Sequence, residues 1–180
     1  MVAWIVEKCE QVYSNERGIT VSQQAVRLPN GNVIPDYFQI GLPDFVTIVA
    51  VTPRREVLAI QQYKHGVGRV ALTLPGGGIE VGETPLAAAE RELLEETGYA
   101  SGAWTQLNSF VISGNQHVAT SHMFFADNCR LVAEANSGDL EEMEIVHMGR
   151  DEVFEMAREG GFPIISHATA LNQAILRALL

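Results

Sequence analysis

Cysteine is scarce in this chain of 180 residues, which contains only Cys9 and Cys129. The two lie far apart and lack the close spacing of metal-binding cysteines, so we expect reduced thiols and no disulfide, as is usual in the cytoplasm. Long apolar runs are also missing, since the longest lies near 45–51, well short of the ~20 residues that span a bilayer. The N-terminal sequence has no basic segment followed by a long apolar one, so no leader peptide is expected. These absences predict a cytoplasmic protein with no membrane segment.

Basic residues are few as well. Lysine and arginine number 12 against 22 aspartates and glutamates, which gives a formal net charge of −10. This balance argues against general nucleic-acid binding, because such proteins need a basic face to neutralise phosphates. An anionic substrate would therefore need a cation in order to bind. Six of the acids lie between Glu80 and Glu96, and a second group at 139–144 is either a solvated loop or a neighbour of the same cation site.

The length and composition fit one soluble domain with an extension, and no repeat or low-complexity tract is present. The extension is predicted at 1–43, where turn signals such as Asn30-Gly31 separate segments with high β-propensity. These segments are 4–12, 19–28 and 32–40. A three-stranded antiparallel meander is only marginally stable alone. We therefore expect it to bury a surface against the main domain, 44–180, or against a second subunit.

The main domain mixes segments typical of strands with segments typical of helices. Short apolar runs bounded by turn residues indicate strands, and apolar positions at helical spacing indicate helices. The predicted strands are 45–51, 57–63, 70–74, 104–112, 121–126 and 145–148, and the predicted helices are 86–97, 152–159 after an Asp151 cap, and from about His167 onward. Strands flanked by helices indicate an α/β fold, an α/β/α sandwich around a mixed β-sheet that follows the N-terminal antiparallel β-meander.

The helix at 86–97 has clear start and stop signals. Thr84 suits the N-cap, Pro85 suits the first helical position, and Gly98 suits the C-terminal stop. At about 100° per residue, two groups of side chains fall on different faces. The predicted core face contains Leu86, Ala89 and Leu93, and the other face presents Glu92, Glu95 and Glu96.

Three carboxylates at such spacing repel one another, which indicates that a positive group lies close to them. Hard divalent cations such as Mg²⁺ or Mn²⁺ prefer oxygen ligands, and Mg²⁺ commonly combines one or two carboxylates with substrate phosphates. Arg91 lies four residues before Glu95 and is expected to pair with it. Just before the helix, the glycine-rich loop 74–78 lets backbone groups approach a metal or a phosphate.

Seven residues of this stretch share one pattern. They are Gly77, Glu83, Arg91, Glu92, Glu95, Glu96 and Gly98. Together they match the Nudix box, G-x5-E-x7-R-E-U-x-E-E-x-G-U, in which U is a bulky apolar residue. The one departure is Tyr99 at the final U, which concerns packing more than chemistry. The chain is therefore identified as resembling the Nudix hydrolase superfamily.

Within that superfamily the sequence is similar to the branch of ADP-ribose pyrophosphatases and nucleotide-sugar hydrolases, through segments 27–31, 61–68 and 74–80. The resemblance implies metal ligands at Glu92, Glu95, Glu96 and the Gly76 carbonyl, with Glu83 and Arg91 in support. Substrate contacts are predicted for Lys64, Arg69, Gly77 and Gly78. Lys64 stands where the branch usually has arginine, so a point charge replaces a bidentate phosphate clamp.

The resemblance implies Mg²⁺-dependent hydrolysis of the diphosphate in a nucleoside diphosphate linked to a sugar, giving a nucleoside monophosphate and a sugar phosphate. It also implies a homodimer in which the N-terminal sheet reaches the partner. One alternative is a Nudix hydrolase of another nucleotide, such as a dinucleoside polyphosphate or an oxidised nucleoside triphosphate. A second is a non-catalytic nucleotide sensor, which the complete set of carboxylates argues against.

The general base stays open at this point. The loop 113–120 lacks the proline and the glutamate common in ADP-ribose enzymes, and its only titratable side chain is His117. The candidates for catalytic proton transfer are Glu95, Glu92, His117 and the pair Glu141 and Glu142, with Arg91 positioning the carboxylates. We favour a carboxylate, because the Nudix box supplies one and a loop histidine is often simply solvated.

Overall fold

The computed structural model of the protein describes residues 2–136, 138 and 142–180. The strands are β1 (Ile5–Ser14), β2 (Thr20–Arg27), β3 (Val33–Gly41), β4 (Phe45–Val51), β5 (Val57–Lys64), β6 (Arg69–Thr73), β7 (Tyr99–Ala100), β8 (Ala103–Ser113), β9 (His117–Asp127), β10 (Arg130–Leu131) and β11 (Met143–Met148). The helices are α1 (Pro85–Thr97), α2 (Arg150–Glu159) and α3 (Ile165–Leu176). Glu141, one of the candidate bases, lies outside the described residues.

The chain divides into two compact units, of which the first comprises Met1–Asp44 and Phe110–Thr120. Its core is the predicted antiparallel meander, because β1 pairs with β2 and β2 pairs with β3. The end of β3 also pairs in parallel with the start of β9, at Ile40 and His117. This pairing extends β9, so the predicted loop 113–120 is wrong in length and only three residues separate β8 from β9.

Strand β1 stands out for its exposure, since all ten of its residues are exposed. Its apolar side chains include Ile5, Val6 and Val12, which are 59%, 52% and 49% exposed. A strand with one free edge and exposed apolar side chains is a natural surface for pairing with another chain.

The second unit comprises Phe45–Ser109 and Ser121–Leu180 and contains a mixed sheet, as predicted. Strand β4 lies parallel to β9 and pairs antiparallel with β5 near its C-terminal end. β5 in turn pairs antiparallel with both β6 and β11. At its start, β4 bonds instead to the glycine loop, because Val46 and Ile48 donate their N–H groups to the carbonyls of Gly77 and Pro75, each at 2.9 Å. The sheet thereby fixes the loop that precedes α1.

Alternation along β4 separates two cores. Val46, Ile48 and Ala50 pack in a cluster with α1, whereas Val49 and Val51 pack in a cluster with α2 and α3. Successive strand residues point to opposite faces, so one buried strand serves both clusters. The second unit is therefore the predicted α/β/α sandwich, with α1 on one face of the sheet and α2 and α3 on the other.

Helix α1 begins as the sequence predicts. The Thr84 hydroxyl accepts the Ala87 N–H at 3.2 Å, Pro85 is the first helical residue, and Gly98 ends the helix with φ of 75°. The predicted core position of Leu86 is wrong, because this side chain is 40% exposed in the first turn. Ala89 and Leu93 are buried as predicted.

The other two helices begin earlier than predicted. Helix α2 starts at Arg150 after Gly149, so Asp151 is not its cap. Asp151 lies in the first turn, where a negative charge is also favourable to the helix dipole. Helix α3 starts at Ile165 after Ile164, a residue type that carries no capping signal.

Both cysteines are free thiols, as predicted, with Cys9 exposed and Cys129 buried. Burial raises the pKa of the Cys129 thiol to about 11, so this group is protonated and unreactive at neutral pH. Within the described part of the chain, no helix has the length and apolarity required to cross a membrane.

Candidate active site

The loop 74–78 has a shape that depends on its glycines. Gly76 has φ of 152°, and a Cβ there would approach the Val46 carbonyl oxygen to 2.2 Å. A Cβ on Gly77 would meet the Glu92 carboxylate at 2.4–2.6 Å. The missing side chains thus allow the loop to lie against β4 on one side and against α1 on the other.

Glu96 is the residue of α1 that bonds to this loop. Its Oε2 accepts the Gly76 N–H at 2.8 Å, and the residue is only 6% exposed. The expectation of an exposed carboxylate face is therefore wrong at this position, because the glycine loop covers the helix there. Glu92 is also mostly enclosed, with a side chain 13% exposed, whereas the side chain of Glu95 is 43% exposed.

Arg91 lies at the centre of a network of four acceptors. Its guanidinium donates to Glu92 Oε1 at 2.8 Å, to the predicted partner Glu95 Oε2 at 3.1 Å, and to the Gly78 carbonyl at 2.8 Å. It also donates two bonds to Glu83, each at 3.0 Å. Such a fork holds several carboxylates in fixed directions, which a lysine cannot do.

The network favours the ionised forms of Glu83 and Arg91. The hydrogen bonds from Arg91, followed by the bond from the Glu80 N–H, lower the pKa of Glu83. The hydrogen bonds to Glu83 raise the pKa of Arg91 above its ordinary value, and the bonds to Glu92 and Glu95 make smaller contributions in the same direction. Four carboxylates (Glu83, Glu92, Glu95 and Glu96) against one guanidinium leave a formal charge of −3 around the loop. This excess negative charge favours a bound cation.

The donor set fits a hard divalent cation. Glu96 bonds to Gly76 and the Glu92 carboxylate lies beside Gly77, so the side-chain atoms available there as metal ligands are oxygens. Among the described residues, no three acidic, histidine or cysteine side chains converge into a ready-made metal cluster. That arrangement still suits Mg²⁺, which usually takes only one or two protein carboxylates and completes its shell with water and substrate phosphates.

The predicted substrate contacts lie in the same unit. Gly77 and Gly78 belong to the loop held by β4 and Arg91. Lys64 and Arg69 are paired residues at the end of the β5–β6 hairpin, so two positive charges lie side by side there. The residues between them form a tight turn, in which the Lys64 carbonyl accepts the N–H groups of Val67 and Gly68.

The other predicted bases are placed differently. His117 is exposed at the start of β9, in the first unit, with φ of 66°. Glu142 is exposed just before β11, and Glu141 lies outside the described residues.

His167 is a residue of this region that sequence reasoning missed. Its Nδ1 accepts the N–H of Leu74, at the start of the glycine loop, at 2.8 Å. The bond fixes the neutral tautomer with its proton on Nε2. Burial, with a smaller contribution from the charge of Lys64, lowers the pKa of His167 to about 4. No sequence signal marks this role, because the residue was predicted only as the start of a helix.

His167 should make stability depend on pH. An ordinary histidine has a pKa near 6.5, so between pH 6.5 and 4 the unfolded chain binds a proton on His167 that the folded chain does not bind. Stability contributed by neutral His167 is therefore present above pH 6.5 and is lost as the pH falls, by about 1 kcal/mol between pH 7 and pH 5.5. Urea unfolding at the two pH values should show this loss.

The matched variant is His167→Asn, which keeps an acceptor near the Leu74 N–H but does not titrate. Its unfolding free energy should change less between pH 7 and pH 5.5 than that of the wild type. An identical pH dependence in both proteins would contradict this assignment.

Comparison with known proteins identifies the class. The family model described as NUDIX domain matches residues 42–167, more than half of the chain. The protein therefore belongs to the Nudix family, and the resemblance noted from the sequence is confirmed.

Particular relatives are similar over most of the chain. It is 30% identical to the ADP-ribose pyrophosphatase of Bacillus subtilis (strain 168) over 156 residues. This match covers 87% of this chain and 80% of that protein. It is 28% identical over 155 residues to the methanol dehydrogenase activator of Bacillus methanolicus, with 84% and 82% coverage. The crystal structure of an ADP compounds hydrolase superposes with a TM-score of 0.84 at 20% identity, over 100% of this chain and 95% of that one. At that identity the last likeness concerns the fold.

Proposed function

We propose that the protein hydrolyses the diphosphate bond of a nucleoside diphosphate linked to a sugar, such as ADP-ribose or another nucleotide sugar. The products are a nucleoside monophosphate and a sugar phosphate. The observation that carries this proposal is the Arg91 network, which gathers the Nudix-box carboxylates around a glycine loop at a formal charge of −3. The similarity to the ADP-ribose pyrophosphatase of Bacillus subtilis supports this choice of substrate.

The Gly76 carbonyl, Glu92 and Glu96 would hold the cation, Mg²⁺ or Mn²⁺, and Glu95 would be a further ligand or the base. The carbonyls of Pro75 and Gly77 accept hydrogen bonds from β4, so the Gly76 carbonyl between them is the one proposed for the cation. When bound, the cation neutralises charge on the diphosphate oxygens and helps to orient them. Arg91 acts by positioning the carboxylates.

The substrate phosphates would be met by backbone groups of Gly77 and Gly78 and by the charges of Lys64 and Arg69. The two basic side chains adjoin each other at the hairpin end, in a unit that is otherwise rich in acids. These two positive charges attract an anionic substrate, whereas the negative net charge of the protein repels it.

Among the described residues, Glu95 is the best candidate for the general base. Its Oε2 is held by Arg91 at 3.1 Å, and the side chain is the most exposed of the three helix carboxylates. Its other oxygen is therefore available to take a proton from an attacking water. Glu92 remains the second carboxylate candidate, and His117 the imidazole candidate.

The variant His117→Ala is expected to change turnover less than about fivefold, because the carboxylates perform the proton transfer. Loss of a true general base would lower the chemical step by a hundredfold or more. Single-turnover experiments with saturating Mg²⁺ distinguish the two results, with His65→Ala as the control for removal of a surface histidine. A hundredfold loss in His117→Ala alone would make the histidine the base.

We also propose that 1–43 forms a dimerisation and substrate-binding extension of the catalytic domain at 44–180. The exposed apolar side chains of β1 support a homodimer that buries this strand.

A cytoplasmic location is consistent with the two free cysteines.

Light scattering at micromolar concentration should therefore give twice the mass of one chain. Replacing Ile5 and Val12 by lysine should shift the protein towards the monomer, because charged side chains discourage pairing at a strand edge. Replacing the exposed Val81, in the second unit, by lysine is the control. A full-length chain that is monomeric at this concentration would contradict the proposal.

The reaction itself is tested with a substrate panel. Initial rates, measured by chromatography with and without Mg²⁺, are compared for ADP-ribose, a second nucleotide sugar, a dinucleoside polyphosphate and an oxidised nucleoside triphosphate. The proposal requires the two diphosphate-linked sugars to be cleaved fastest. A preference for either polyphosphate would favour the alternative Nudix reaction.

A further inference from the structure

A pocket of about 480 Å³ lies in the second unit, and Tyr99, at the last position of the Nudix box, is the one box residue among its lining residues. Its volume is within the range of ~300–1,000 Å³ that is usual for small-molecule sites. Its walls come from the β4–β5 turn, from the small β7–β10 pair and from β11. The lining residues that matter for its chemistry are Arg54, Glu56, Tyr99, Cys129, Arg130 and His147.

The pocket is separate from the candidate active site. The glycine loop bonds to Val46 near the start of β4, whereas the pocket begins at Thr52, just beyond the end of that strand. Six residues of extended strand, at about 3.3 Å each, separate the two positions by roughly 20 Å. A molecule bound here would therefore not contact the Nudix-box carboxylates.

One wall of the pocket is built from aromatic rings in a fixed arrangement. The Tyr99 hydroxyl lies 3.3 Å from His147 Nε2, and the two rings meet edge to face at 5.9 Å between centroids. His147 Nδ1 lies 3.6 Å from the Glu56 carboxylate, which in turn accepts the Thr52 hydroxyl at 3.3 Å. These contacts hold the two side chains in place, and both aromatic residues line the pocket.

The pocket also contains two arginines that form no ion pair with an acidic side chain among the described residues. Within the same residues, Arg54 forms no hydrogen bond, and the Arg130 side chain donates to the Asn128 side chain at 3.5 Å. The neighbouring Arg55 differs, because it pairs with Asp127 at 3.2 Å. With Glu56 counted, the lining carries a formal charge of +1 in a chain whose net charge is −10.

We infer that this pocket is a second ligand site, which binds a nucleoside monophosphate. Guanidinium groups are the usual partners of phosphate, and the rings of Tyr99 and His147 offer a stacking surface for a base. Cys129 lines the pocket as a buried, protonated thiol, so the site binds its ligand without covalent chemistry. The inference does not depend on the proposed function, because binding is measured without turnover.

The test is isothermal titration of the full-length protein with AMP in the presence of EDTA. We expect one saturable AMP site per chain. Adenosine and inorganic phosphate should bind more weakly, because adenosine lacks the phosphate and inorganic phosphate lacks the base. The double variant Arg54→Ala/Arg130→Ala should weaken AMP binding at least about tenfold. Both side chains are exposed, so the variant is expected to fold, which its melting temperature checks.

The matched control is Arg17→Ala/Arg158→Ala, which removes the same formal charge from exposed positions elsewhere. It should leave AMP affinity within about twofold of the wild type. The inference would be overturned by the absence of saturable AMP binding, by equal weakening in both double variants, or by adenosine or phosphate binding as tightly as AMP. AMP binding that survives unchanged in Arg54→Ala/Arg130→Ala would likewise place the ligand elsewhere.

Discussion

Replacing Glu96 by glutamine is expected to lower turnover of the preferred substrate by a hundredfold or more while the fold stays intact. Glutamine keeps the length of the side chain and an acceptor for the Gly76 N–H, which lies 2.8 Å from the carboxylate. It removes one negative charge from the group proposed to hold the cation. A metal ion contributes several kcal/mol of charge stabilisation, and each 1.36 kcal/mol corresponds to a tenfold change in rate. Turnover at saturating substrate and Mg²⁺ measures the effect.

The control is Glu90→Gln, an exposed carboxylate of the same helix at a variable position of the Nudix box. It should keep wild-type turnover, and both variants should melt within a few degrees of the wild type. Mn²⁺ affinity, measured by electron paramagnetic resonance, should fall only in Glu96→Gln. Near wild-type turnover and Mn²⁺ affinity in Glu96→Gln would show that the assigned metal face is wrong.

The variant Arg91→Lys should lose both activity and stability although the charge is conserved. A single ammonium cannot reproduce the five hydrogen bonds that Arg91 donates to three carboxylates and the Gly78 carbonyl. We expect turnover to fall roughly tenfold to a hundredfold, because the carboxylates lose their fixed directions. The unfolding free energy should fall by roughly 1–3 kcal/mol, since partly buried acceptors lose their donor.

Arg158→Lys is the matched control, because Arg158 pairs with Glu155 on the exposed surface of α2 and with no other acid that the structure describes. Its stability and turnover should stay close to those of the wild type, as expected for an exposed pair. If Arg91→Lys behaves like Arg158→Lys, the network does not position the carboxylates and Arg91 acts only as a charge.

The features that local chemistry determines were predictable from the sequence. Thr84, Pro85 and Gly98 mark the ends of α1 because each meets a requirement of the adjacent backbone. The pairing of Arg91 with Glu95 follows from helical spacing alone.

Features that depend on distant segments were not predictable in the same way. Glu96 is buried because the glycine loop folds over it, and the Leu74 N–H finds its acceptor on His167, 93 positions away. Neither contact leaves a pattern in the local sequence. The length of β9 was underestimated for the same reason, because β3 pairs with its first residues.

The central claim is that a divalent cation at the glycine loop enables this chain to cleave a diphosphate linked to a sugar. Phosphorus NMR of ADP-ribose incubated with the protein tests it directly. The account predicts that the diphosphate signals are replaced by two phosphomonoester signals in Mg²⁺, and that conversion stops in EDTA or with Glu96→Gln. Unchanged diphosphate signals for ADP-ribose and other nucleotide sugars, or equal conversion in EDTA, would contradict it.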